Sequence, residues 1–462
     1  MISHFRYSLF TVLKILNQKD YFEEDSKFIF QTISTSSVEC KPGSLFVPLK
    51  DKRDGHDFIP DALSRGAGYF LCEKGNPILH TLSEEDKKKA IFVKDSLVAL
   101  GVLANFHRNR FSPLVIAVTG SSGKTTTKEL IGNLFQFLPK SSLVVTEKNY
   151  NNEIGVPFTL FRINESTQIV VCEMGMNHRG EIARLSKIAN PNIGLITNIG
   201  SAHIEYLKKP ENIALEKADI AEGMNDSGIL FLPEDVSYLK EVKSYLKKKK
   251  KNLVLWKQSE KSNLKILKES KDGFLLSYLG NTVQWKIPGI TLLSNVRGML
   301  ALGEYLKLPV SSLVQTIETY RPPDKRLNIQ KKHYTIINDT YNANPESMES
   351  SILASVQIAS GKPLVWVLGT MKELGKYSKH YHKKIGTVLK NFPEGILITY
   401  GKDAKEIANA RKTGFNLSFE ETEKDRILLV KWIKEHAAKG TVILVKGSRS
   451  MKMETLVTDW EE

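Results

Sequence analysis

The run Leu114-Val-Ile-Ala-Val118 is compact and rich in β-branched residues, and it passes at once into Thr119-Gly-Ser-Ser-Gly-Lys-Thr-Thr126. A helical pattern follows, with Leu130, Leu134 and Leu138 four apart and Ile131 and Phe135 beside them. Strand, glycine loop and helix in this order is the context a phosphate-binding loop requires. Gly120 and Gly123 let the backbone curl so that successive N–H groups face phosphate oxygens, and the helix N-terminus adds partial positive charge. In such a loop Lys124 reaches the β- and γ-phosphates and the Thr125 hydroxyl ligates Mg²⁺. Only Ser121 and Ser122 separate the glycines, so the spacing is shorter than the common four-residue form. The competing structural reading is a glycine-rich strand–helix turn with an exposed lysine.

The rest of the chain repeats the alternation. Ile169-Val-Val-Cys172, Ile193-Gly-Leu-Ile-Thr197 and Ile229-Leu-Phe-Leu232 are buried-strand candidates separated by helical stretches, which predicts a parallel sheet covered on both faces. Residues 253–287 have short alternating runs and suggest a small antiparallel appendage, closed by a helix from about Asn295 to Leu306. Arg321-Pro-Pro-Asp324 marks a boundary, because adjacent prolines stiffen a connection and stop a helix. Beyond it, Thr335–Asn338, Leu364–Leu368, Ile396–Thr399 and Val442–Val445 each run into small or polar residues, the pattern of a second doubly wound sheet. Before the phosphate loop, Leu45–Leu49 and Tyr69–Cys72 suggest a smaller mixed unit. The fold class is therefore α/β in three domains: a small N-terminal α/β domain (1–112), a central P-loop parallel-sheet ATPase domain (113–320) and a C-terminal Rossmann-like domain (321–462).

Length supports this division, since 462 residues exceed what one core usually organises. Lys and Arg exceed Asp and Glu by 66 − 51 = 15. That excess suits nucleic acid, or small polyanionic substrates and solubility. No aromatic stacking pattern accompanies the lysines, and Lys247–Lys251 reads as a solvated helix end. Cys40, Cys72 and Cys172 are too few and scattered for a disulfide framework or a zinc knuckle, and suit a reducing cytosol. Arg6 and Lys14 interrupt the apolar residues of the N-terminus, and no later span has membrane length, so the expectation is a cytoplasmic protein with no membrane insertion.

Other polar clusters stand at strand ends. Glu173 directly follows a strand, where a Mg²⁺ ligand beside a phosphate loop is needed, or where a strand simply meets solvent. His203 stands just past another strand end. Asn149-Tyr-Asn-Asn152 can grip a polar substrate through its amides or merely form turns. Asp339-Thr-Tyr-Asn-Ala-Asn-Pro345 offers a carboxylate, an aromatic face and amides, suited either to a nucleoside or to capping the helix that starts near Pro345.

Taken together, Thr119–Thr126, Asn149–Pro157, Glu173–Ile182, Asp339–Pro345 and Lys446-Gly-Ser-Arg-Ser450 resemble the Mur ligases, ATP-dependent amide-forming enzymes of peptidoglycan precursor synthesis. Asp-x-Tyr-Asn-Ala-Asn-Pro with Lys-Gly-Ser-Arg resembles most the type that adds D-alanyl-D-alanine to UDP-N-acetylmuramoyl-tripeptide. Pro42–Leu49 with Asp54-Gly-His-Asp-Phe58 is similar to that type's UDP-binding domain, so the likeness spans nearly the whole chain. The resemblance implies ATP and Mg²⁺ as cofactors and those two small molecules as partners, with no nucleic acid and a monomeric enzyme. It places Gly120, Ser121, Ser122, Gly123, Lys124, Thr125 and Thr126 around the phosphates. Thr125, Glu173, His203 and a carbamylated Lys217 would serve the metal ions. Asn295 would approach the adenine, Arg326 the γ-phosphate, and Asp339 and Tyr341 the nucleoside. Ser36, Asn149, Asn151, Asn152 and Asn344 would face the muramoyl-peptide substrate. Three positions depart from the family pattern: Thr35-Ser36-Ser37 stands where Asp-Ser-Arg is common, Thr370 replaces an aspartate, and Leu293-Ser294 stands before Asn295 without the usual His-Asn pair. Two rival readings remain at the level of sequence. One is a sister or folylpolyglutamate-type ligase adding a single amino acid. The other is a P-loop regulator or nucleic-acid binder.

Overall fold

The computed structural model describes residues 1–18, 27–258, 262–322 and 326–461. The first sheet has strands β1 (Ile2–His4), β2 (Thr32–Ser34), β3 (Ser44–Phe46), β4 (Ala67–Glu73) and β5 (Ala90–Val93) in that order. Only the β1–β2 pair is antiparallel.

The central sheet holds β6 (Leu114–Thr119), β7 (Leu143–Val145), β8 (Ile169–Glu173), β9 (Ile193–Ile196), β10 (Ile229–Pro233) and β11 (Asn252–Trp256), in the order β11-β10-β9-β6-β8-β7 and parallel throughout. Connections from β6 and from β9 leave in opposite directions, so their carboxyl ends flank the crevice where open α/β sheets bind ligands. Both strands are buried, as their unbroken apolar runs require when helices cover both faces. The helix after the loop spans Lys124–Leu134, so Leu138 lies beyond its end.

One expectation needs correction. Residues 253–256, whose pattern suggests the antiparallel appendage, instead belong to the parallel edge strand β11, paired with β10 from Ile229↔Asn252 to Pro233↔Trp256. Alternating apolar residues suit a half-covered edge strand as well as a hairpin, so the pattern alone does not separate the two. The appendage itself is β12 (Leu264–Ser270), β13 (Gly273–Tyr278) and β14 (Asn281–Trp285), antiparallel as expected. The closing helix is Leu293–Tyr305. Lys251 also departs from a solvated helix end: its Nζ donates to the carbonyls of Met224 (2.9 Å) and Asn225 (2.7 Å).

The third large sheet comprises β15 (Asn328–Lys331), β16 (Thr335–Asn338), β17 (Leu364–Gly369), β18 (Ile396–Tyr400), β19 (Asn416–Phe419) and β20 (Val442–Lys446), in the order β15-β16-β20-β17-β18-β19. Edge strand β15 is antiparallel and the rest are parallel. Of the boundary segment Arg321–Asp324, Pro323 and Asp324 lie outside the described residues.

The chain crosses from the first sheet to the second without a loose joint. The helix Ser96–Asn109 carries Asn105, whose Nδ2 donates to the carbonyls of Lys187 (2.9 Å) and Ile188 (3.0 Å), and Arg108, whose Nε donates to Ala189 O (2.9 Å). Its His107 bridges Tyr7 OH (2.8 Å) and the Ile163 carbonyl (2.9 Å). One apolar core runs from Phe5 and Leu103 through Phe161 to Ile182. Buried apolar surface and satisfied polar groups thus bind the first two sheets into one body.

Candidate active site at the phosphate loop

The loop after β6 is held by the end of β9. Thr197 Oγ1 donates to Ser122 O (2.5 Å), and the Ser122 N–H donates to Asn198 Oδ1 (2.9 Å). Asn198 Nδ2 returns a bond to Ser122 Oγ (2.6 Å), while its carbonyl accepts from Ser121 N (3.2 Å). Sequence reading missed Thr197 and Asn198, although both lie at a strand end already marked as a ligand edge. The consequence is a narrower phosphate cradle than expected. The N–H groups of Ser121 and Ser122 are spoken for, and those of Gly123, Lys124 and Thr125 meet no protein acceptor among the described residues.

Both glycines are required. Gly123 has φ of +75° and abuts the Asn295 side chain, and a Cβ on Gly120 would overlap Thr197 Oγ1. Gly120→Ala must therefore displace the Thr197 clamp. We expect it to weaken binding of an ATP analogue at least tenfold while leaving the fold intact, measured by calorimetry beside a thermal melt. Unchanged affinity would show that the clamp does not shape the loop.

Lys124 Nζ donates to Gly120 O (2.8 Å), folded back over the loop. Desolvation and the Arg326 guanidinium lower its pKa, and Glu173 opposes them. Thr125 Oγ1 donates to Glu173 Oε1 (3.2 Å), which also accepts from Asn151 Nδ2 (2.8 Å). Glu173 is 2% exposed, and its Oε2 is buried without a partner. An orphaned carboxylate oxygen beside a phosphate-loop hydroxyl fits a hard cation that takes its remaining ligands from phosphate and water. Among the described residues no group of three or more His, Cys, Asp or Glu forms a metal cluster.

His203 adopts φ of +64°, uncommon for a non-glycine residue, as the cap of the short helix Ile204–Leu207. Its Nδ1 lies 2.6 Å from Glu373 Oε2, off the hydrogen-bond direction. Burial lowers the imidazole pKa and the Glu373 carboxylate opposes that shift. Lys217, on the helix Pro210–Ala218, is 1% exposed and makes no hydrogen bond or ion pair among the described residues. Desolvation, reinforced by Lys124, drives its pKa well below the usual lysine value against the pull of Glu216 and Glu346.

The third sheet supplies the opposite wall. Lys446 Nζ, at the end of β20, lies 2.5 Å from Asp339 Oδ2 and 3.0 Å from the Asn342 carbonyl. Burial would raise the Asp339 carboxyl, but Lys446 and Ser351 hold it below the usual range. The Arg326 guanidinium stacks 4.1 Å from the centre of the Tyr341 ring. Asn344 caps the helix Pro345–Ala359, accepting from Ser347 N (2.8 Å), and its Nδ2 donates to Ser121 O (3.0 Å). Helix capping and contact with the phosphate loop thus coexist in one residue.

These walls enclose a cavity of about 900 Å³. Every site residue named from sequence lines it except Gly120, Lys217 and Ser36. Gly120 packs behind the loop against Thr197, and Lys217 is buried. Ser36 stays with the first sheet, its N–H donating to Ser34 Oγ (3.1 Å). Within the asparagine loop, Asn151 orients Glu173, and Asn152 Oδ1 accepts from Gly155 N (2.9 Å) at the start of the next helix. Only Asn149 keeps its side-chain amide without a protein partner among the described residues. Glu346 and Glu373, both on the third-sheet side, escaped sequence reading because neither stood in a segment selected for its phosphate chemistry.

Comparison with known proteins gives the same assembly. Family profiles described as Mur ligase family, catalytic domain, Mur ligase middle domain, and Mur ligase, glutamate ligase domain match residues 30–108, 118–303 and 325–449. The UDP-N-acetylmuramoyl-tripeptide--D-alanyl-D-alanine ligase of Bacillus subtilis (strain 168) is 32% identical over 443 residues, covering 93% of each chain. The chain belongs to the Mur ligase family. Among solved structures, MurF from Acinetobacter baumannii superposes with a TM-score of 0.86 at 27% identity over the full length of both chains. MurF from Thermotoga maritima in complex with ADP gives 0.79 at 28% identity, covering 93% of this chain and 96% of that one. In this Mur ligase the phosphate loop falls within residues 118–303, the stretch matched by the middle-domain profile.

Proposed function

We propose that this Mur ligase joins D-alanyl-D-alanine to the tripeptide carboxylate of UDP-N-acetylmuramoyl-tripeptide at the expense of ATP, in cytoplasmic peptidoglycan precursor synthesis. The observation that carries the reading is the convergence of the phosphate loop, Glu173 and the Asp339–Lys446 wall on one cavity. Full-length similarity to ligases of that specificity supports the choice of acceptor and donor. No helix among the described residues is long and apolar enough to cross a membrane.

A carboxylate does not form an amide directly, because oxide is a prohibitive leaving group. The tripeptide carboxylate attacks the γ-phosphate, ADP leaves, and an acyl phosphate results. The amine of D-alanyl-D-alanine then attacks the acyl carbon, and inorganic phosphate departs. Lys124 and the free N–H groups of Gly123 to Thr125 stabilise charge on the transferring phosphoryl group. Arg326 approaches the same group from the opposite wall, and Asn295, Asp339 and Tyr341 hold the nucleoside. Thr125, Glu173 and His203 would hold Mg²⁺, which supplies charge neutralisation between the phosphates. Lys217 fits the site as a carbamate: its depressed pKa favours the neutral amine that combines with CO₂, and the product is an anion suited to a second cation. Asn149 and the first domain, Ser36 included, serve the muramoyl-peptide and its UDP end. We place the domain limits at 112/113 and 320/321 and infer a monomeric enzyme.

The test is direct. Incubation of the protein with Mg-ATP, the UDP-muramoyl-tripeptide and D-alanyl-D-alanine yields the mass of the pentapeptide product. Product only with a single amino acid in place of the dipeptide would assign the chain to a sister ligase. Amine-independent ATP hydrolysis would remove it from the ligases.

A further inference from the structure

Glu346 is the second residue of the helix Pro345–Ala359, on the third-sheet side of the cavity, yet its carboxylate is bound to the central domain. Oε1 accepts from both Ser201 N (2.8 Å) and Ser201 Oγ (2.9 Å). The neighbouring Gly200 N–H donates to Ser121 Oγ (2.8 Å), inside the phosphate loop. One residue before the helix, Asn344 Nδ2 donates to Ser121 O (3.0 Å). Two routes therefore run from one helix N-terminus to one loop residue, and both end on Ser121.

The seat is shaped for this carboxylate. A Cβ built on Gly200 would lie 2.5 Å from Glu346 Cδ, with both carboxylate oxygens the next nearest atoms. The second oxygen, Oε2, is buried with no hydrogen-bond partner. Burying an unpartnered carboxylate oxygen is unfavourable, so the position is held by the two Ser201 bonds rather than by the local comfort of the side chain.

We propose that Glu346 is a positioning residue that transmits docking of the C-terminal domain to the phosphate loop through Ser201, Gly200 and Ser121. The proposal rests on the ligase reading for its activity readout. With the C-terminal domain docked, Ser121 is fixed from both sides: Asn198 and Gly200 hold it within the central domain, Asn344 bonds it directly from across the cavity, and Glu346 holds the Ser201 that follows Gly200. Without the Glu346 bonds, nucleotide still enters the central domain, but the loop is not fixed for phosphoryl transfer. The contribution falls on turnover and not on nucleotide affinity.

The experiment compares wild type, Glu346→Ala, Glu346→Gln, Gly200→Ala and the Gly200→Ala/Glu346→Ala double variant. Each is assayed for kcat, for binding of a non-hydrolysable ATP analogue, and for amide hydrogen exchange over residues 120–126. Loss of two bonds to a carboxylate predicts a kcat about ten- to a hundredfold lower in Glu346→Ala, with analogue affinity within about twofold. Glu346→Gln keeps an acceptor oxygen and recovers most of the activity. Gly200→Ala evicts the carboxylate and reproduces the Glu346→Ala phenotype, and the double variant is no worse than either single one, because both remove the same contact. Exchange over 120–126 rises in both single alanine variants when the analogue is bound. Additive losses, a fall in affinity matching the fall in kcat, or unchanged exchange would overturn the proposal. Wild-type protein that forms no pentapeptide would instead overturn the ligase reading, and the exchange measurement would still decide the role of Glu346.

Discussion

Lys124→Ala lowers ATP-dependent pentapeptide formation by about two to three orders of magnitude, the scale expected when one donor to a developing charge is removed from a water-excluded site. The ammonium rests 2.8 Å from the Gly120 carbonyl, within the loop whose remaining free N–H groups are those of Gly123 to Thr125. A γ-phosphate in the loop offers that ammonium a far stronger partner than a carbonyl, and burial makes the neutral form less costly until the phosphate arrives. Arginine is no substitute, because a planar fork does not fit where a compact ammonium folds back over a four-residue turn. The measurement is kcat from phosphate release with both substrates present, beside a thermal melt to establish folding. Turnover within about tenfold of wild type would remove the lysine from phosphoryl transfer.

What the sequence made legible follows from where chemistry and backbone coincide. The phosphate loop, Glu173 and Asp339 were readable because each stands at the carboxyl end of a buried apolar strand, and such strands are continuous in sequence. Alternation alone points strand β11 to the wrong sheet, because pairing partners are a tertiary fact and a half-covered edge has the same alternation as a hairpin. The asparagine pattern suggests substrate amides, and Asn151 and Asn152 do line the cavity; in addition Asn151 Nδ2 donates to Glu173 and Asn152 Oδ1 accepts from the start of the next helix. Asparagine chemistry suits all three uses, and only the neighbour decides. Glu346 and Glu373 were invisible for a further reason. Each acts across the boundary between two domains, on Ser201 and His203, and nothing in the local sequence of either reveals what faces it there. The same holds for Thr197, whose importance lies in a glycine 77 positions earlier (197 − 120).

Lys217→Ala should lower ligation by about a hundredfold, a loss of the size seen when support for a metal site is removed, and short carboxylates such as acetate or propionate should restore part of it. The reasoning starts from an unfavourable arrangement. A lysine 1% exposed, without a hydrogen-bond partner and within electrostatic reach of Lys124, is a poor place to keep a positive charge. Its neutral amine is the form that adds CO₂, giving a carbamate and releasing one proton. The modification turns a repulsive neighbour of Lys124 into an attractive one and supplies an anion near His203 and the phosphate loop. If the side chain works as a cation instead, short amines restore the alanine variant and carboxylates do not. A second measurement needs no mutation. Enzyme kept in CO₂-free buffer loses activity and regains it on adding bicarbonate, and ¹³C-bicarbonate gives a carbamate resonance that is absent from Lys217→Ala. Rescue by amines, or full activity without CO₂, would leave Lys217 as a buried lysine with no part in holding the metal.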